Sequence, residues 1–309
     1  MAEWVAAQRF RTSAGELAYA EAGPSDADAP AVVMLHGFPT TSLLWKNVAP
    51  HIAGSFRVIT PDLLGYGASD QPPEAKLDMP AQARYIRELV DGLGIERFAI
   101  VGHDIGGAVA QILALEGGAD VLCLLDCDAF DAWPIEGLVM LQAADPEQEE
   151  PGFVGDVIDL TMDLGTTRKE ILTPELLAAF REPFTGDQPA AGAFFRAARG
   201  IDGVGLAGRD DELAALDLPS LIIWGEDDPY VEVDIADRLV EVLARPALVT
   251  LPEVGHFTPL EAPDVVTPLL EQFLATHLLG RSHAHGPEHA HGPHGDGPVM
   301  IPLERHGPS

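Results

Sequence analysis

Val101-Gly102-His103-Asp104-Ile105-Gly106-Gly107 sets a carboxylate in the middle of a Gly-x-nucleophile-x-Gly spacing, behind an apolar run and ahead of a helical one. Such spacing suits a nucleophile held on a sharp strand-to-helix turn, where small residues are needed because the helix packs close behind. An aspartate is ionised near neutrality, so it needs no general base for a first attack. It can displace a leaving group from an sp³ carbon, become an ester of the enzyme, and be freed when an activated water hydrolyses that ester. Taken alone, the same letters also describe an aspartate N-cap after a strand.

Three more segments sharpen the choice. His36-Gly37-Phe38-Pro39 ends an earlier apolar run, and the backbone N–H groups of Phe38 and Ile105 are expected to converge on developing negative charge as an oxyanion hole. Leu221-Ile222-Ile223-Trp224-Gly225-Glu226-Asp227-Asp228 is an apolar strand running out into acids. Val254-Gly255-His256-Phe257 follows the next strand and supplies a base, so the order is nucleophile, acid, histidine. Asp126 and Asp128, at the end of another strand, are further candidates for the acid. His36 and His103 read as structural histidines, hydrogen-bonded beside the site.

The elements that must position these groups alternate. Apolar runs at Ala31–Leu35, Val58–Thr60, Phe98–Val101 and Val121–Leu125 predict strands of a parallel sheet buried on both faces. Trp4–Thr12 and Glu16–Glu21 predict an antiparallel hairpin across Ser13-Ala14-Gly15. Ala81–Leu93 and Gly107–Leu115 carry helical patterns. From Ala129 to Leu216 the pattern turns to helices, Pro/Gly breaks and acidic loops, and then alternation resumes with strands Ser220–Trp224 and Ala247–Leu251 and helices Val233–Leu243 and Ala262–Leu278. The division expected is a core of residues 1–128 and 217–280, a helical cap of residues 129–216 over the C-terminal strand ends, and a histidine-rich, low-complexity tail at 281–309.

Over most of residues 1–280 the chain resembles the α/β-hydrolase superfamily. Pro61-Asp62-Leu63-Leu64-Gly65-Tyr66-Gly67-Ala68-Ser69-Asp70 is similar to the loop after that superfamily's fourth strand. The Gly-His-Asp-x-Gly-Gly elbow and the His-Gly-Phe-Pro loop resemble the branch holding epoxide hydrolases, haloalkane dehalogenases and haloacetate dehalogenases. The resemblance implies an α/β fold with a mostly parallel central sheet and a cap inserted after the sixth strand. It implies a cofactor-free, metal-free hydrolase with Asp104 as nucleophile, His256 as base and Asp228, three residues after Gly225, as orienting acid. Asp227 is one register away, and Asp126 or Asp128 holds the place some dehalogenases use.

The branch is less plain about substrate. Epoxide hydrolases of this kind protonate the opening oxygen with cap tyrosines, and Tyr19, Tyr66, Tyr85 and Tyr230 all lie outside residues 129–216. Haloacetate dehalogenases place arginines just after the nucleophile, where Ile105 and Ala108 stand. A halide-binding Trp directly after the nucleophile is also missing, which leaves Phe38 and Ile105 N–H with Trp133 at the start of the cap, a residue that equally suits a core aromatic. Phe153, Phe180, Phe184, Phe194 and Phe195 suggest an apolar cap lining, and a hydrophobic stripe on ordinary cap helices predicts the same residues. The reading is a haloalkane dehalogenase-like hydrolase of a small hydrophobic substrate. An epoxide hydrolase or esterase of the same fold is the alternative, and a binding protein without turnover is the alternative of another class.

Composition narrows the partners. Net charge is −31 over 309 residues, a field that repels nucleic acid and anionic lipid. No apolar run reaches the roughly 18 residues of a membrane span, the N-terminus lacks a secretory pattern, and Cys123 and Cys127, four apart on one strand, cannot bridge. A cytoplasmic location is expected. The sequence carries no signal for oligomeric state.

Overall fold

Strands form where short apolar runs end in Gly, Pro or Asp. The computed structural model describes residues 4–25, 29–132, 135–145, 152–185, 188–202 and 204–279. Trp133 and the histidine-rich stretch 281–309 lie outside the described residues. In chain order come β1 (Gln8–Arg11), β2 (Glu16–Ala22), β3 (Ala31–Leu35), α1 (Ala49–Ile52), β4 (Arg57–Pro61), α2 (Met79–Gly92), β5 (Phe98–Asp104), α3 (Ile105–Leu115) and β6 (Ala119–Cys127). The helices α4 (Glu136–Ala143), α5 (Phe153–Gly165), α6 (Pro174–Arg181), α7 (Gln188–Arg199) and α8 (Asp210–Ala214) follow. The chain then returns to the sheet with β7 (Pro219–Gly225), α9 (Asp234–Val242), β8 (Arg245–Leu251), α10 (Thr258–Glu261) and α11 (Pro263–Leu274).

The eight strands make one sheet in the order β1-β2-β4-β3-β5-β6-β7-β8. β2 pairs antiparallel with β1 and β4, and the pairs from β4 to β8 are parallel. β3, β5 and β7 are buried along their whole length, as strands with helices on both faces must be. The edge strand β8 is half-buried until Leu251. Because parallel strands all end at one side, β3, β5, β6, β7 and β8 deliver their following loops to one rim, where open α/β sheets bind ligands. The predicted hairpin forms with a shorter first arm than Trp4–Thr12, while β5 and β6 run on to Asp104 and Cys127.

Between β6 and β7 the described residues are helical. Phe180, Phe184, Phe194 and Phe195 are buried within this insertion, each burial contributing roughly 2–3 kcal/mol. Phe194 meets the ring of Phe38 at 5.1 Å and Phe184 meets Tyr66 at 5.9 Å, so the aromatic centre of the insertion continues into the loops of the sheet. Cys123 and Cys127 are free and buried. No helix among the described residues is long and apolar enough to cross a membrane.

Candidate active site

Asp104 closes β5 with φ 54° and ψ −128°, and α3 starts at the next residue. A β-carbon-bearing residue rarely holds a positive φ; here the surrounding packing enforces it. A Cβ on Gly102 would come within 2.3 Å of the Gly106 carbonyl oxygen, and one on Gly106 within 2.4 Å of the His36 carbonyl oxygen. These contacts let α3 press directly onto β3 and β5. A Cβ on Gly37 would sit 2.3 Å from Cβ of Asp104, so the His36–Pro39 loop lies against the carboxylate itself. His36 fixes that loop: its Nε2 accepts the Leu63 N–H at 3.0 Å, which puts the proton on Nδ1, 2.9 Å from the Gly37 carbonyl oxygen.

The two oxygens of Asp104 have different surroundings. Oδ1 accepts a short hydrogen bond from the Ile105 N–H, the group expected in the oxyanion hole. Oδ2 faces His256 Nε2 at 3.4 Å. On the other side of that ring, Nδ1 donates to Asp228 Oδ2 at 2.8 Å. Asp228 is oriented in turn, because its Oδ1 accepts the N–H groups of Tyr230 and Val231 at 2.8 and 3.1 Å. The His256 carbonyl accepts from His103 Nε2 at 2.8 Å, which leaves the buried Nδ1 of His103 without a partner.

The other acids are placed differently. Asp227 is exposed. Asp126 ties strand ends together, accepting the Gly225 N–H at 2.7 Å and the Thr258 hydroxyl in a short bond. Asp128 is buried with both carboxyl oxygens unpartnered. Burial, then the charge of Asp104, push the Asp128 carboxyl well above the usual range. Burial also raises Asp104, against the pull of His256. Burial opposes charge on His256 as well, but Asp228 and Asp104 outweigh it and hold the imidazolium pKa well above its ordinary value. Burial, with His256 adjacent, keeps His103 neutral by pushing it well below.

A cavity of about 720 Å³ opens over this group, within the range of small-molecule sites. Asp104, His256, Tyr230 and the Phe38 ring form its floor, and α4 and α5 supply its roof, including Leu138, Leu141, Val157, Leu160 and Leu164. No lysine or arginine lines it among the described residues. The expected phenylalanine lining is corrected: of the five, only Phe153 faces the cavity, while Phe180, Phe184, Phe194 and Phe195 are buried inside the insertion, where Phe194 packs on Phe184 and Phe195. Trp133, expected as a halide donor, lies outside the described residues. Among the described residues no cluster of three or more His, Cys, Asp or Glu is arranged to hold a metal.

Tyr230 is a site residue that the sequence pattern conceals. No tyrosine falls in residues 129–216, yet Tyr230 reaches the cavity from the loop after β7, with its ring edge-on to His256 at 5.2 Å. Its hydroxyl donates to the Thr161 carbonyl of α5 at 2.7 Å. The available signal was its position two residues after Asp228.

A profile described as "Alpha/beta hydrolase family" matches residues 32–269. Haloalkane dehalogenase 2 of Mycobacterium tuberculosis (strain ATCC 25618 / H37Rv) is 27% identical over 280 residues, covering 85% of this chain and 93% of that protein. The 2-hydroxy-6-oxononadienedioate/2-hydroxy-6-oxononatrienedioate hydrolase of Paraburkholderia xenovorans (strain LB400) is 30% identical over 282 residues, covering 86% and 94%. Among solved structures, an alpha/beta hydrolase fold protein from Burkholderia ambifaria superposes with a TM-score of 0.79 at 25% identity, covering 87% of this chain and 98% of its own.

Proposed function

The chain belongs to the α/β-hydrolase family, and from that premise we propose that it hydrolyses a carbon–halogen bond in a neutral, hydrophobic small molecule through a covalent ester on Asp104. One observation carries the reading: Oδ1 of Asp104 is engaged by the Ile105 N–H while Oδ2 faces His256 Nε2 at 3.4 Å, and the residue lines the cavity. The first oxygen is already where an oxyanion will form, which leaves the second to attack.

In the first step Oδ2 displaces halide from carbon, and the halide leaves with the bonding electrons. Forming the ester removes the negative charge of Asp104, one of the two carboxylates that raise the pKa of His256. The imidazolium then releases its proton to solvent, the one proton of the overall balance, and becomes a base when it is needed. In the second step His256 takes a proton from water, whose oxygen adds to Cγ of Asp104. Charge develops on Oδ1, where the Ile105 N–H is already in place. Collapse expels the alkoxide, which takes the proton from His256, and the proton left on the Asp104 carboxyl passes to His256 to restore the starting pair. The balance is one haloalkane and one water to one alcohol, one proton and one halide. Asp228 holds Nδ1 of the base throughout.

The cavity supports a neutral substrate. The Paraburkholderia hydrolase is named for a dienedioate, a dicarboxylate, whereas here no cation among the described residues faces the ligand space and an ionised Asp104 would repel a second anion. A second reading, epoxide opening, is favoured by one observation, the Tyr230 side chain on the cavity wall, whose phenol is the type of acid that an opening epoxide requires.

A single turnover of 1-bromohexane in H₂¹⁸O tests the mechanism. The label is expected in Asp104 and not in the first hexanol formed. Label in the alcohol with none in Asp104 means direct attack by water and removes the ester. Styrene oxide and p-nitrophenyl hexanoate, run alongside, rank the leaving groups.

A further inference from the structure

The loop carrying His256 is held by a carboxylate the mechanism does not use. Glu261 ends α10, five residues after the base, and is 2% exposed. Its Oε1 accepts the Gly255 N–H at 3.1 Å. Its Oε2 faces three donors of the insertion: the Thr167 N–H at 2.8 Å, the Thr167 hydroxyl at 2.6 Å and the Arg168 N–H at 3.1 Å. The Arg168 guanidinium closes the group from outside, donating to the Glu261 carbonyl at 2.9 Å. One buried anion therefore joins the residue before His256 to the two residues that follow Thr166, immediately beyond α5.

The joint is tight on both sides. The His256 N–H donates to the Gly165 carbonyl at 2.8 Å. A Cβ on Gly165 would come within 2.7 Å of Phe257 and Tyr230, and one on Gly255 within 2.4 Å of the Gly165 carbonyl oxygen. The helix tied down here is the one whose Val157, Leu160, Thr161 and Leu164 roof the cavity. Buried charge is costly unless satisfied, so a carboxylate with four donors, three of them from another part of the chain, sets a geometry that a neutral side chain does not reproduce.

We propose that Glu261 is a positioning residue: its carboxylate couples the end of α5 to the His256 loop, so that the base and the substrate roof keep one fixed relation. The inference rests on His256 acting in ester hydrolysis. It explains why an acid stands in an otherwise apolar stretch, between Leu260 and Ala262. Positioning matters most in the second step, where water, base and Cγ must align; misplacement of a reacting group by about 1 Å can cost on the order of 100-fold. The first attack depends on Asp104, which the elbow holds independently of Glu261.

Glu261→Gln tests this. The amide keeps the size, but its NH₂ must face either the Gly255 N–H or the donors of Thr167 and Arg168. Hydrogen exchange at Gly255, Thr167 and Arg168 amides should accelerate together, by about tenfold or more. With 1-bromohexane, the burst of bromide should stay near the wild-type rate while decay of the hexyl ester slows about tenfold. Thr167→Val, which removes the hydroxyl that Glu261 Oε2 shares with the Glu253 carbonyl and leaves both backbone donors, should shift both readouts the same way by about two- to threefold, and it decides alone if Glu261→Gln fails to fold. Exchange unchanged on either side of the joint, or equal slowing of burst and decay, overturns the proposal. If His256→Gln accumulates no hexyl adduct, the role of the base is what has failed, and the exchange measurement then decides the coupling by itself.

Discussion

The floor and the roof of the cavity are built on opposite principles. On the floor each group has an assigned partner: Oδ1 of Asp104 on Ile105, Nδ1 of His256 on Asp228, Oδ1 of Asp228 on two backbone N–H groups. Exchange of any one leaves a buried polar atom unpaired. The roof is a stripe of Leu, Val and Met side chains on α4 and α5, with Phe153 and with Thr161, whose hydroxyl is spent on the Val157 carbonyl, and a leucine there can be traded for another apolar residue at small cost. A site divided in this way keeps its chemistry in a few directional bonds and its substrate choice in surfaces that vary freely.

If that contrast is right, the largest effect comes from the floor. Asp104→Ala should lower turnover of 1-bromohexane by about 10⁴-fold or more, as loss of a nucleophile does, with the thermal unfolding midpoint little changed; bromide electrode and melting curves read both. Tyr230 sits where floor meets roof, and it sharpens the division. Tyr230→Phe should leave bromide release within about threefold, since a halide needs no proton, but should cut diol formation from styrene oxide about 100-fold if the hydroxyl serves as acid. Equal loss on both substrates would make Tyr230 a packing residue whose bond to Thr161 matters for either. On the roof, Leu138→Ala or Leu160→Ala should raise KM for 1-bromohexane a few-fold with kcat nearly unchanged; a collapse of kcat there would erase the distinction.

The smallest effect concerns stability, at Asp128 behind the floor. Its carboxyl is raised first by burial and then by Asp104, while in the unfolded chain an aspartate titrates near about 3.9. Above that pH the folded protein keeps a proton that the unfolded chain has lost, so folding stability falls as pH rises toward the folded pKa. Asp128→Asn removes the titration. Its melting midpoint should gain on the wild type as pH rises above about 4 and run parallel to it at more acidic pH. Parallel curves throughout would place an ionised, compensated carboxylate at Asp128.

What was legible in the sequence follows the same line between floor and roof. The elbow, the His-Gly-Phe-Pro loop, Asp228 and His256 are short motifs at strand ends, and a parallel sheet brings the ends of β3, β5, β7 and β8 to one rim without further information. Strand and helix runs were legible because their periodicity is local; their ends shifted, as at β5, where hydrogen bonding to β6 carries the strand to Asp104. The phenylalanines misled because an aromatic stripe predicts burial without saying against what, and here Phe194 packs on Phe184 and Phe195 inside the insertion. Tyr230 and Glu261 were missed because their roles depend on which part of the insertion folds back onto the loops after β7 and β8. No spacing along the chain encodes that contact.

The central claim, an ester on Asp104 that His256 hydrolyses, has one direct test. His256→Gln, incubated with 1-bromohexane and examined by intact-protein mass spectrometry, should accumulate protein heavier by one hexyl group, with the modification on the peptide carrying Asp104 and with one bromide released per protein. Steady turnover should fall about 10³-fold, within the span of lost general-base catalysis. Absence of the adduct while the variant still releases bromide repeatedly would contradict the account, because turnover would then proceed without a covalent bond to Asp104.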